Sequence, residues 1–157
     1  MPDGFSAEAR AELKILLDSY PDRMSAVMNA LHLTQREFGY ISYEALELLS
    51  KEMELPVQQL EDTASFYTMY FKEPVGENVI WVCHTLPCAL RGSANVFEYL
   101  KEKLGINAGE TTNDKRFTLL KAECLASCDT APMMQVNDDY FEELTEEKID
   151  KILGKFD

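Results

Sequence analysis

Val79-Ile80-Trp81-Val82-Cys83-His84-Thr85-Leu86-Pro87-Cys88 is the stretch that decides the fold. Its first four residues are an apolar, β-rich run, which reads as a buried strand ending at Cys83. A loop to Cys88 follows. From Ala89 to Leu104 the period changes to helical, with Ala94, Phe97, Leu100 and Leu104 aligned and Gly105 as the stop. Ile106 to Lys115 is polar, contains Gly109 and reads as a loop. Phe117-Thr118-Leu119-Leu120-Lys121-Ala122 is then a second strand running into Cys124. Two strands joined through a helix are expected to be parallel. If they are neighbours, the loops after them, each with a pair of cysteines, emerge at the same end of the sheet.

Outward from this unit, Met133-Met134-Gln135-Val136 and Tyr140-Phe141-Glu142 flank Asn137-Asp138-Asp139, a hairpin signature. Thr145 caps a last helix through Leu153, with Glu146 and Glu147 in its positive first turn and Gly154 at its end. The order β-α-β-β-β-α is the topology of a thioredoxin-like α/β sandwich. Pro132 stands just before a strand, where such folds keep a cis proline; an ordinary trans loop proline is the alternative.

The first half reads as helices. Ser6 caps one carrying Leu13, Leu16, Leu17 and Tyr20, ended by Pro21. A second is expected from about Asp22 to Phe38, with Met24, Val27, Met28 and Leu31 on one face and Gly39 as its stop. Ser42 caps a third, to about Met53, with Ile41 and Leu46 at hydrophobic-staple positions and Glu44 in the first turn. Pro56 opens a fourth, with Val57, Leu60, Ala64 and Tyr67 in phase. The expected fold class is therefore a two-part α+β chain: a small helical bundle over residues 1–75 and a thioredoxin-like domain over residues 76–157, divided by the turn-like Lys72–Asn78 with Pro74 and Gly76. Ser65-Phe66-Tyr67-Thr68-Met69-Tyr70-Phe71 packs four aromatics into seven residues; it reads either as core and hinge or as an exposed anchor for a partner chain.

With 157 residues, 46% of them hydrophobic, the chain can bury a core. Its 15 basic and 28 acidic side chains leave a net charge of -13. Nucleic-acid affinity rests on cations that neutralise phosphates, so no nucleic acid is expected as partner. Direct membrane contact is disfavoured too, because the charge repels anionic lipid and no stretch approaches ~20 apolar residues. The excess is spread, 6 basic and 13 acidic residues over 1–75 against 9 and 15 over 76–157. The start lacks the basic and apolar runs of a signal peptide, so a soluble, intracellular protein is expected.

In such a compartment, four cysteines point to metal or catalysis before disulfides. The constellation is Cys83-x4-Cys88, thirty-five residues, then Cys124-x3-Cys128. Two local pairs at one sheet end suit a tetrathiolate site. A [2Fe–2S] cluster takes two cysteines on each iron, and structural zinc takes four on one ion, so both stay open. A thioredoxin-type redox pair needs C-x-x-C, which neither pair has. A Rieske centre needs two histidines at the site, and His32 lies in the helical half, far in sequence from His84. Four independently buried thiols are the bland alternative, and tight pairing argues against it. The helix after Cys88 is expected to aim backbone N–H groups at the thiolates, and Arg91 to add a cation, or else to be plain surface charge. Ala126, Ser127 and Ala131 are small enough to let loop backbone approach sulfur. His84 is expected to tune or shield the site without ligation. No G-x-G-x-x-G occurs for dinucleotide binding, and no catalytic constellation suggests chemistry by this chain alone.

The runs Val82-Cys83-His84-Thr85-Leu86-Pro87-Cys88-Ala89-Leu90-Arg91-Gly92 and Glu123-Cys124-Leu125-Ala126-Ser127-Cys128-Asp129-Thr130-Ala131-Pro132-Met133 resemble the two cluster-binding signatures of one family. It is the thioredoxin-like [2Fe–2S] ferredoxin subunit, NuoE-type, of respiratory NADH:quinone oxidoreductase (complex I). The resemblance extends to Gln135-Val136-Asn137-Asp138-Asp139-Tyr140 and to Ala64-Ser65-Phe66-Tyr67, and so covers nearly the whole chain. It implies that Cys83, Cys88, Cys124 and Cys128 are the metal ligands that bind one [2Fe–2S] cluster. His84 stands where a small polar residue is commoner. The resemblance further implies an electron-transfer subunit in the peripheral hydrophilic arm of a membrane-bound complex. Its partner would be the flavoprotein subunit that holds FMN and NADH, embraced by the N-terminal helices. The cluster would exchange single electrons with the flavin, off the main path to quinone. The same motifs occur in the equivalent diaphorase subunit of NAD-linked formate dehydrogenases and NAD-reducing hydrogenases. From other classes, a four-cysteine zinc assembly module and a thiol–disulfide enzyme remain as alternatives. An acidic chain disfavours the charge added on reduction while N–H···S bonds favour it, and a low reduction potential is expected.

Overall fold

The computed structural model describes residues 4–156. The chain divides into two compact units, the first ending at Pro74 and the second beginning at Val75.

In the first unit, helices form where apolar periodicity and caps coincide. Ser6 Oγ accepts from the Ala9 N–H to start α1, Ala7–Asp18, and Ser42 Oγ accepts from the Ala45 N–H to start α3, Tyr43–Met53. Each cap contributes about 1 kcal/mol. Between them, a 3-10 turn, Met24–Ala26, leads into α2, Val27–Phe38, which stops at Gly39 with φ +81°. The expected second helix thus starts later than Asp22. Asp22 instead caps the tight turn, accepting from the backbone N–H of Ser25, and Met24 is exposed. A fourth helix, α4, Val57–Phe66, begins just after Pro56, whose fixed φ of -58° sets its entry. Leu13, Leu31, Leu49, Met53 and Leu60 are fully buried in one core, each contributing about 2–3 kcal/mol of burial.

The aromatic run after α4 divides its roles. Tyr70 is buried and donates to the Met28 carbonyl at 2.8 Å, while Phe66 and Met69 are exposed. Gln35 of α2 clamps the run's backbone, donating to the Met69 carbonyl at 2.9 Å and accepting from the Phe71 N–H at 2.7 Å.

The second unit is a four-stranded sheet in the order β2-β1-β3-β4. These strands are β1, Asn78–Cys83; β2, Phe117–Ala122; β3, Met134–Val136; and β4, Asp139–Phe141. β1 runs parallel to β2 and antiparallel to β3, and β3 pairs with β4 as the expected hairpin. Ile80, Val82, Phe117, Leu119, Met134 and Val136 share one core with Val96, Phe97 and Leu100 and with Ile149, Ile152 and Leu153. The last two groups belong to α6, Ser93–Leu104, and α7, Glu146–Leu153. This mixed sheet with helices packed on it is the thioredoxin-like architecture.

The helix expected over Ala89–Leu104 is two helices. A short α5, Leu86–Leu90, precedes α6, and Gly92 between them takes φ +94°, which only glycine adopts freely. Pro87 in the first turn of α5 draws its start back ahead of Cys88. α6 turns Val96, with Phe97 and Leu100, to the core, while Ala94 is exposed.

Candidate metal centre

The parallel register sets Cys83, the last residue of β1, opposite Ala122, the last of β2. The His84 N–H donates to the Ala122 carbonyl at 3.1 Å, so the two chain segments stay side by side past the strand ends. The loops carrying the four cysteines therefore leave the sheet together. Cys83 is placed by the strand and Cys88 by α5; both are buried, in an apolar nest with Ala131 and Met133 and with Leu125 packed against it. Cys124 and Cys128 lie in the open loop after β2 and are exposed, with their sulfurs 3.5 Å apart. Cys88 lies inside α5, so the arrangement expected from a long helix beginning after it does not form; the Gly92 break is the reason.

Hydrogen-bond donors to sulfur come from the loops instead. Thr85 Oγ1 stands 3.4 Å from Cys83 Sγ, and the Ala126 N–H donates to Cys124 Sγ at 3.3 Å. Backbone N–H groups of Thr85 and Leu125 also reach Cys83, and that of Met133 reaches Cys88. The thiols respond as two unequal pairs. Burial pushes Cys83 up, yet its bonds from Thr85, Leu125 and Cys88 outweigh that and hold it below the ordinary thiol range. Burial, followed by the bond with Cys83, pushes Cys88 up to about 11. Cys124 is lowered, first by the Ala126 N–H and then by Cys128, while Cys128 is raised by that same bond with Cys124. Within each pair the bond between the two thiols thus lowers one partner and raises the other.

Among the described residues, no three His, Cys, Asp or Glu side chains converge tightly enough to hold one metal ion. The sulfurs are grouped as pairs, and electrostatic repulsion acts between the pairs: Cys83 on Cys124 and Cys128, and Cys128 on Cys88. A tetrahedral zinc site wants all four thiolates around one ion, whereas a binuclear cluster takes one pair per iron. The donor set fits the second better, being all sulfur, in pairs, with N–H groups aimed at it.

His84 is half exposed, its Nε2 3.5 Å from a Glu123 carboxylate oxygen. Arg91 donates to the Ala131 carbonyl at 3.4 Å, bracing the chain ahead of the cis Ala131–Pro132 peptide. Sequence reasoning passed over Thr85, Leu125, Met133 and Glu142. A hydroxyl two residues after a cysteine is a signal for Thr85. Nothing local marks the others. An open hollow of about 660 Å³ lined by Lys103, Thr112, Arg116 and Asp150 contains neither cysteine nor histidine.

A profile of the family described as "Thioredoxin-like [2Fe-2S] ferredoxin" matches residues 13–157. The chain belongs to this family and is by family an iron–sulfur protein. More particularly, it is 43% identical over 143 residues to the E subunit of the NADH-quinone oxidoreductase of Rickettsia bellii, a match covering 89% of this chain and 86% of that one. It is 42% identical to the mitochondrial NADH dehydrogenase [ubiquinone] flavoprotein 2 of Dictyostelium discoideum, over 92% of this chain and 60% of the relative. Among solved structures, an NAD+-reducing [NiFe]-hydrogenase in the air-oxidised state matches with a TM-score of 0.72 and 26% identity. That match covers 83% of this chain, which spans 22% of the hydrogenase chain.

Proposed function

We propose that this chain is the [2Fe–2S] electron-transfer subunit of an NADH:quinone oxidoreductase, with Cys83, Cys88, Cys124 and Cys128 as the ligands. The observation that carries the reading is the parallel β1–β2 register, which delivers two cysteine pairs to one sheet end in a chain whose relatives over nearly its full length are subunits of NADH-quinone oxidoreductases. The bound cluster supplies a one-electron couple. The protein's part would be to hold that couple, with the buried Cys83 and Cys88 and the exposed loop residues Cys124 and Cys128 as the residues that would bind it. Donors at Thr85, Leu125, Ala126 and Met133 stabilise negative charge on sulfur.

Electrons enter from a flavoprotein subunit that holds FMN and NADH, since this chain has no dinucleotide-binding turn of its own. That subunit is the partner, and the chain stands in a peripheral arm of the complex. Among the described residues no helix is long and apolar enough to cross a membrane.

Iron and acid-labile sulfide content, with EPR before and after dithionite, tests the reading. Two irons, two sulfides and a rhombic signal present only after reduction are expected. One zinc and no signal would overturn it in favour of an assembly module. The hydrogenase likeness favours one second reading, the equivalent subunit of an NAD-reducing hydrogenase. Purification of the intact complex with a tagged chain separates the two. NADH-dependent quinone reduction supports the first, and hydrogen-dependent NAD reduction supports the second.

A further inference from the structure

Ala126 sits at the turn of the second cysteine loop with φ +65°, a left-handed conformation that its Cβ disfavours. That conformation is what points the Ala126 N–H at Cys124 Sγ, 3.3 Å away. A non-glycine residue keeps such a backbone only where neighbouring contacts over-determine it. They are supplied from outside the loop. Ser127 Oγ donates to the Glu142 carboxylate and stands 3.0 Å from Thr130 Oγ1, which in turn donates to the Ser127 carbonyl at 3.3 Å. Thr130 also reaches the Glu142 carboxylate. The Glu143 N–H donates to the Thr130 carbonyl at 2.7 Å, so the loop is stitched to the chain leaving β4. Glu142 is itself fixed from the other side by Lys148, whose ammonium donates to the Glu142 carbonyl at 2.6 Å.

We propose that Glu142 is a positioning residue for the second cysteine loop. Its carboxylate, acting through Ser127 and Thr130, holds the turn that aims the Ala126 N–H at the Cys124 sulfur. The inference rests on Cys124 and Cys128 being cluster ligands. The Glu142 carboxyl lies below its ordinary range, first through Ser127 and then Thr130, so the network includes a charge-assisted acceptor at neutral pH. An N–H···S bond favours the more negative, reduced state, so the orientation of this one amide bears on the electronic structure of the centre and on its retention.

The test uses the cluster-loaded protein and two readouts: the g-values of the reduced EPR signal, and the rate of iron release to a chelator. Ser127→Ala keeps the carboxylate charge and cuts the tether; Glu142→Ala removes both; Glu142→Gln keeps an acceptor oxygen and removes the charge. Ser127→Ala and Glu142→Ala are expected to change the g-values alike. Each should speed iron release by at least roughly tenfold, the effect of losing one hydrogen bond to a charged acceptor. The double variant should add nothing further, since both act in one network. Glu142→Gln should fall between wild type and Glu142→Ala in both readouts, since it keeps the acceptor and loses the charge assistance. A silent Ser127→Ala, effects that add independently, or a Glu142→Gln as altered as Glu142→Ala would each overturn the proposal. Wild-type protein without two irons and two sulfides would instead sink the ligand assignment beneath it.

Discussion

The two cysteine loops hold the same pair of residues and present them in opposite ways. Cys83 and Cys88 are each 1% exposed, one at a strand end and one in a short helix, over an apolar nest. Cys124 and Cys128 stand exposed in a loop without regular structure, held by Ala126, Ser127 and Thr130. The first pair is positioned by a strand end, a short helix and the small apolar nest they share with Ala131 and Met133. The second is positioned by hydrogen bonds, whose net strength is about 1 kcal/mol each. In the proposed site, a buried pair would thus serve as a rigid anchor and an exposed pair as an accessible, individually tunable closure.

The largest effect that probes this difference is loss of a proposed ligand. Cys88→Ser is expected to drop iron content by roughly tenfold or more, because it leaves a buried hydroxyl in an apolar nest and removes the anchor. Cys128→Ser should retain more iron than Cys88→Ser, since an exposed loop lets serine or water take the vacated position. Iron and sulfide per chain measure both, with circular dichroism as a check on folding. Equal loss in the two variants would break the distinction between anchor and closure.

The second effect is reactivity once iron has been removed by chelation. Cys124 is exposed and lowered, whereas Cys88 is buried and raised to about 11. Since the thiolate is the reactive form, Cys124 should alkylate at pH 8 at least about a hundredfold faster than Cys88. Mass spectrometry of the alkylated peptides reads this directly. The same shift has a consequence for stability. The proton on Cys88 is held more tightly in the folded chain than in the unfolded one, whose thiol ionises near 9.0. Its stabilisation is complete below that value and is lost as pH rises from about 9 to about 11. Iron-free protein should therefore melt at falling temperature across this window, and Cys88→Ala should flatten the decline. A pH-independent midpoint there would show that burial does not hold the Cys88 proton.

The strands that lead into the site were its most legible part. β2 falls on Phe117–Ala122 as the sequence indicates, because an apolar run bounded by polar residues leaves little freedom in placing a buried strand. Ser6, Ser42 and Thr145 all cap the helices they precede, since a hydroxyl at the start of an apolar periodicity is a local signal with a local cause. The split between α5 and α6 was missed because Ala94, Phe97, Leu100 and Leu104 continue a helical period without a gap, and only the backbone at Gly92 reveals the break. In the second loop the small residues Ala126 and Ser127 signal a close approach of backbone to sulfur, which the Ala126 N–H makes, but the tether behind that turn was not legible. Glu142 lies fifteen residues from Ser127, and Ala126 is an ordinary helix former found at positive φ. Both depend on tertiary contacts that no local pattern encodes. Four cysteines could be read as one site, but which pair is buried and which is open could not.

The smallest effect distinguishes how each loop supplies its hydrogen bond to sulfur. Cys124 receives a backbone N–H, from Ala126, which no side-chain substitution removes short of proline, and proline cannot adopt φ +65°. Cys83 receives a side-chain hydroxyl, from Thr85, which also reaches Cys124 and which a single substitution deletes. Thr85→Ala should therefore speed iron release about fivefold, corresponding to about 1 kcal/mol for one hydrogen bond. It should also move the reduction potential to more negative values, because one donor that favours the reduced state is gone. Thr85→Ser keeps the hydroxyl and should restore both. If Thr85→Ala left the potential unchanged while Ser127→Ala altered the EPR signal, the electronic control of the site would lie wholly in the exposed loop. The buried pair would then serve as anchor alone, a sharper division of labour than their burial by itself implies.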